Sequence, residues 1–415
     1  MRLTLVLHKQ HLRRLFIRKW FVHGRNNRVP METYAESTLS ALGIKVVDSL
    51  DVIDEKKTPP VPPGSVKVIG MLDPPVPLGE NHPLYHQRPS YLYDEHSILV
   101  EGLPQAQNLT NTVILEKGLP PQIEELAKEN ESLLPEECHE EVKKSILRSF
   151  LFDAVQEKMP KYINPERPCY NYPPTFGVPD YRRNRLLSDN LLLICDSLSS
   201  EPHGQVVRGA KLRTLLDIND KLVRFDISPG ILLCGKNPLS PYTDAARTEN
   251  LDLPNISPLN CFVSLPKDHF YDDTEIINVP PAKFVHTAIF HFNDTKHVNL
   301  TEIPVNENQI QGRTLANSFI VAAAEAKQKL EKPSGELSKP LTIQGIHTNG
   351  QWFQFSVLQL NNLSNKGTKN VAWLSPLMHM FASARYEKAV PTLIGYNPDV
   401  LRYLFAFHRN SLITK

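Results

Sequence analysis

Residues 310–330, IQGRTLANSFIVAAAEAKQKL, and 341–360, LTIQGIHTNGQWFQFSVLQL, decide the fold. In the first, Leu315, Phe319, Ala322, Ala323, Ala326 and Leu330 recur at helical spacing and give a helix one apolar face. Glu325, Lys327, Gln328 and Lys329 fall on the other side and suit water. Pro333 and Gly335 end the helix. In the second stretch, two runs flank Asn349 and Gly350. Asn-Gly is a strong hairpin signal, because a type I′ turn needs positive φ at both central residues. Trp352, Phe353, Phe355, Val357, Leu358 and Leu360 are apolar on both faces of their strand, which predicts a central strand covered twice. Residues 369–374, KNVAWL, supply a third strand. A helix beside such a hairpin needs a sheet to cover.

The whole chain has 415 residues, 41% of them hydrophobic, enough for a sizeable core. Proline is the unusual count: 35 residues, about 8% against a usual ~5%. No apolar run approaches the ~20 residues that cross a membrane. Cys138, Cys169, Cys195, Cys234 and Cys261 stand singly, which fits a reducing compartment better than a disulfide scaffold. Net charge is +1, but unevenly spread. Residues 1–31 hold eight basic residues and no acid, leaving 38 basic against 45 acidic in the remainder. An acidic body meets RNA through local patches, since phosphate binding is mostly electrostatic.

Residues 1–28 have the arginine-rich, acid-free, amphipathic character of a mitochondrial presequence. A retained basic arm is the plainer alternative. Residues 29–90 read as an extended proline-rich arm, with nine prolines between 59 and 89. Val66, Val68, Ile69, Met71 and Leu72 lie among them, so the arm is expected to pack along a surface. Residues 91–415 form the body, divisible into a helical part, 91–200, and a sheet part, 201–415. A short strand is expected within 91–101 and a short helix within 102–118. Helices are expected from Pro120, over 135–159, over 186–198 and, capped by Asn397 and Pro398, over 400–408. Residues 221–305 read as mainly β; on the strand 284–292, Phe284, Ala288, Phe290 and Phe292 share one face. The fold class is therefore α+β: a mixed, mainly antiparallel sheet covered by helices, with a long proline-rich N-terminal arm.

No catalytic, metal or cofactor residue is assigned. Residues 230–237 nearly spell a phosphate-binding loop, but Asn237 replaces the hydroxyl residue and Pro238 disfavours the helix that must follow. His82 and His86 are separated by Pro83, which opposes the helix a metal pair needs. His286 and His291 point to opposite faces of their strand. The densest basic cluster outside the head is Arg182, Arg183 and Arg185, and with Lys211 and Arg213 these are the RNA-backbone candidates. A solvated helix start gives the same pattern.

Three segments resemble one family. They are His82 to Tyr85, continuing through Leu99–Gly102 and Leu115–Pro120; residues 315–330; and residues 345–373, with Asn349, Gly350, Phe353, Phe355, Gln359, Leu360, Asn361 and the run from Lys369 to Trp373. Together they resemble the mitochondrion-specific large-subunit ribosomal protein family numbered thirty-seven, over about a third of the chain. The resemblance implies a structural, non-enzymatic component of the mitochondrial large ribosomal subunit in the matrix. It implies large-subunit ribosomal proteins and rRNA as partners, including the homologue of programmed cell death protein nine. The rivals are a matrix enzyme of transferase type without recognisable motifs, and a transient ribosome assembly factor.

Overall fold

The structure, a computed structural model, describes residues 34–46, 79–80, 82–152, 155–159, 166, 172–199, 204–244, 248, 251–299, 303–329, 335–365 and 367–413. The expected presequence and most of the proline-rich arm lie outside them. The chain divides into two units, Met1–Val76 and Pro77–Lys415. In the first, helix α1 (Ala35–Ala41) has no buried residue.

The second unit runs β1 (Tyr85–Asp94), α2 (Leu103–Thr110), β2 (Thr112–Lys117), α3 (Pro121–Leu133), α4 (Glu136–Leu151), β3 (Glu157–Lys158), β4 (Phe176–Gly177) and α5 (Asp180–Leu198). Then come β5 (Gln205–Arg208), β6 (Leu212–Ile218), β7 (Lys221–Ile227), β8 (Ile231–Gly235), β9 (Lys267–Phe270), β10 (Ile276–Ile277) and β11 (Phe284–His291). It ends with α6 (Glu307–Lys329), β12 (Glu336–Thr348), β13 (Trp352–Asn362), β14 (Asn370–Leu374), β15 (Met378–His379), β16 (Ser383–Glu387), β17 (Val390–Ile394) and α7 (Asp399–Ile413).

Two sheets carry the core. One has five strands in the order β10-β6-β7-β1-β9; the other has eight, β2-β14-β13-β12-β11-β8-β5, with β15 also on β13. Three pairings are parallel, β1 with β7, β11 with β12 and β2 with β14; the neighbours within both sheets are otherwise antiparallel. The fold is thus α+β with a mixed, mainly antiparallel architecture.

Helix α6 lies between the sheets. It packs on β11, β12 and β13 on one side and on β6, β7 and β10 on the other. Ala322, Ala323 and Ala324 are all wholly buried, and three consecutive helical positions span more than half a turn, so no side of the helix faces water there. Alanine suits this place: it favours helix and keeps the element thin. Asn306 starts α6 with a capping box. Its Oδ1 accepts the Gln309 N–H at 2.8 Å, and Gln309 Oε1 accepts the Asn306 N–H at 3.1 Å. The far face of the larger sheet, with Ile346, Phe353, Phe355 and Val357, packs with residues of α3, α4, α5 and α7. The order is therefore sheet, helix, sheet, helices. Phe355, wholly buried, meets Phe407 of α7 with ring centroids 5.1 Å apart.

Several expectations are corrected. Glu325 does not face water: it is fully buried, accepts the Val285 N–H at 2.9 Å and pairs with Lys329 at 2.5 Å. Lys327 reaches Glu275 and Gln328 donates to Val279 O, because a second sheet covers the side assigned to solvent. The Asn349–Gly350 turn is not type I′. Thr348 pairs with Phe353, so four residues lie between, and only Gly350 takes a positive φ, +88°. Asn349 Oδ1 instead accepts the N–H groups of Gln351 and Trp352. Helix α4 stops at Leu151 rather than 159, since the chain leaves to pair Glu157 and Lys158 with β4 and Pro160 opposes helix at Met159. A bulge between Val285 and Thr287 puts Val285 on the core face with Ala288 and Phe290, the place assigned to Phe284. Residues 102–118 hold a helix and then a strand, not a helix alone.

Candidate nucleic-acid interface

Helix α5 begins after Pro179, whose fixed φ suits a helix start, and carries Arg182, Arg183 and Arg185 in its first two turns. Arg183 is half-buried and turned onto the fold. It pairs with Asp180, and its guanidinium lies over the Phe150 ring at 5.0 Å. Burial pulls its pKa below the ordinary arginine value. Arg182 is half-buried. Arg185 is the outward one: its side chain is 68% exposed and reaches Asp189 only at 3.9 Å.

Lys211 and Arg213 belong to the five-stranded sheet, a separate layer. Lys211 precedes β6 and is exposed. Arg213 is 13% exposed and bridges Asp226 at 2.9 Å and Asp272 at 2.6 Å. Asp226 is its direct cross-strand neighbour on β7. Of the five candidates, Arg185 and Lys211 present their charge outward, while Arg183 and Arg213 spend theirs on the fold.

Around the N-terminal half of α6 the structure gathers polar groups that the sequence scatters. Thr314 Oγ1 lies 2.8 Å from His347 Nδ1 and donates toward Gln354 Oε1 at 3.3 Å. Ser318 meets Ser356 at 3.1 Å. On the opposite side the Tyr93 hydroxyl donates to Asn317 Oδ1 at 3.2 Å. His347 is fully buried among Phe292, Trp352 and Phe290. Burial first, and Arg313 second, hold His347 well below its ordinary pKa and bring His297 to about 2. Burial likewise lowers His291 to about 4. These are neutral, hydrogen-bonding imidazoles. Among the described residues no group of three or more His, Cys, Asp or Glu is placed to hold a metal, and no helix is long and apolar enough to cross a membrane. The near-phosphate loop at 230–237 is strand β8, paired on both sides.

Comparison with known proteins adds an independent observation. The large ribosomal subunit protein mL37 of Gallus gallus is 24% identical over 360 residues, covering 82% of this chain and 78% of its own length. That of Bos taurus is 26% identical over 361 residues, covering 81% and 79%. That of Rattus norvegicus is 27% identical over 305 residues, covering 70% and 66%. The chain is similar to mL37. No protein-family model matches it. The likeness to mL37 extends over about four-fifths of the chain in the two longer alignments, so it is spread along the sequence and not confined to one motif.

Two features of the site went unpredicted, one with a signal in the sequence and one without. The Arg213–Asp226 pair was signalled: Asn219 and Asp220 form a two-residue turn with positive φ at both positions, and counting outward from it sets Arg213 opposite Asp226. The meeting of His291, His297 and Arg313 had no local signal, because each comes from a different element and loop.

Proposed function

We infer that this chain is a structural component of the mitochondrial large ribosomal subunit, supporting translation by scaffolding protein neighbours and touching rRNA backbone. The observation that carries this is the similarity to mL37 along about four-fifths of the chain. The layered core with α6 at its centre supports it, since every buried polar cluster described above is used to join elements. In this reading the protein is not an enzyme, and it works in the matrix. Its partners are large-subunit ribosomal proteins, the homologue of programmed cell death protein nine among them, and large-subunit rRNA. Arg185 and Lys211 are the RNA-backbone contacts, with Arg182 beside them, while Arg183 and Arg213 are internal supports. Residues 1–28 are a presequence removed on import, 29–90 an arm that lies along neighbours, and 91–415 the body.

Density-gradient sedimentation of mitochondrial lysate tests the assignment. The protein should travel with the large subunit and stay there through a high-salt wash, because apolar interfaces outlast screened phosphate contacts. Recovery only in light fractions overturns it, and loss on washing favours a transient assembly factor.

A further inference from the structure

Arg313 is 3% exposed. Its Nη1 donates to Ser97 O at 3.0 Å, its Nη2 donates to Glu95 O and lies 3.1 Å from His297 Nε2, and its Nε has no partner. Asp94 and Glu95 act on it only from a distance; no carboxylate among the described residues comes within 4.0 Å. A buried cation whose contacting neighbours are carbonyls and a neutral ring, with no counter-charge in contact, is costly to keep. Such a charge needs a reason, and its surroundings offer one.

Arg313 forms part of the wall of an open cleft of 160 Å³, roomy enough for several waters. Tyr181, Asn184, His96, His291, Lys296 and His297 line it too. Lys296 is exposed. The carboxylate in the lining, Glu95, lies 3.5 Å from His96 Nε2. Asp189 nearby is engaged by Arg208 at 2.8 Å. The lining therefore offers two cations, Arg313 and Lys296, and a phenol around a space whose one carboxylate, Glu95, lies beside His96.

We propose that this cleft is an anion site that receives a backbone phosphate of RNA. One acidic side chain would offset Arg313 alone. Arg313 and Lys296 together exceed what one carboxylate neutralises, whereas successive phosphates of one strand supply a charge for each. The proposal rests on the reading that the protein touches rRNA backbone, and it names where one phosphate sits.

The test uses the full chain and two probes: inorganic phosphate in a thermal-shift assay against chloride at equal ionic strength, and a labelled oligouridylate in fluorescence anisotropy. Phosphate should raise the melting temperature. Lys296→Gln, a change at an exposed position, should remove most of that rise, weaken oligouridylate binding several-fold and reduce the salt slope by about one. Lys211→Gln should weaken RNA binding and leave the phosphate effect intact. No phosphate effect in the unmodified protein, or Lys296→Gln behaving as the unmodified protein in both assays, overturns the proposal. RNA binding that fails in Lys211→Gln yet ignores Lys296→Gln keeps the RNA reading and removes the cleft. A phosphate effect without RNA binding, or with displacement by an acidic peptide instead, overturns the RNA occupant.

Discussion

Single residues set how closely the layers meet. Gly345 of β12 faces α6, and a methyl group there would lie 2.4 Å from both Ser318 Oγ and Ser356 Oγ. Gly345→Ala should therefore destabilise by about 1–3 kcal/mol, an overpacking cost that chemical denaturation will read as a lower midpoint at unchanged slope. The buried histidines make a second, pH-dependent statement. His291 titrates near 4 and His297 near 2 in the fold, and both near 6.5 in an unfolded chain. Their folded pKa values are depressed, so the unfolded chain binds more protons below 6.5. Stability holds above that pH and falls below it, by up to about 1.4 kcal/mol per pH unit for each histidine, the His291 share levelling off near pH 4. Urea midpoints at pH 7.5 and pH 5 should differ accordingly; equal midpoints would mean that the imidazoles are not excluded from protons. None of these burials was legible in the residues themselves. His347 sits in an alternating strand as an exposed histidine would, and only α6 with Phe290, Phe292 and Trp352 determines otherwise.

At the scale of elements, legibility followed locality. The helix, the hairpin and the strand after it were readable because their signals lie within a few residues of each other. The turn chemistry was misplaced. Positive φ at both central positions occurs at Asn219 and Asp220, 49° and 61°, and at Lys388 and Ala389, 48° and 67°. It does not occur at Asn349, whose side chain caps two backbone N–H groups. Lys388 and Ala389 close the β16–β17 hairpin, a two-stranded ribbon with exposed Tyr386 and Val390. Ala389 pays a left-handed backbone penalty of roughly 1–2 kcal/mol. Ala389→Gly removes it against a smaller entropic loss. The expected gain is about 0.5–1 kcal/mol, visible as slower amide hydrogen exchange across Ser383–Ile394; unchanged or faster exchange contradicts the strain. The candidate interface behaved similarly. Arg182, Arg183 and Arg185 were found because they lie close in sequence, while Arg213 was misjudged because the turn that sets Asp226 opposite it went unread and Asp272 lies on a distant loop.

For the whole molecule, the two-sided cover of α6 was out of reach of a local pattern. The strands that close its second side, β6, β7 and β10, come from residues 212–277, and a helix rich in alanine looks amphipathic until both partners are known. A chain ending at residue 369 lacks β14 and α7, and with them Val371, Trp373, Phe405 and Phe407 of the outer core. It should yield no cooperative thermal transition, as followed by circular dichroism, even though α6 and β12–β13 are intact. The parallel ladder that joins Thr112 to Asn370 gives this dependence a further meaning. Its strands come from opposite ends of the unit, so the chain must search a long loop before that contact rewards it, and such topologies fold slowly. Until residues 370–374 have arrived, β2 has no strand to join it to the larger sheet. Assembly of the fold is thereby timed by the completion of the chain, and an early, half-finished body is not a state that this topology stabilises.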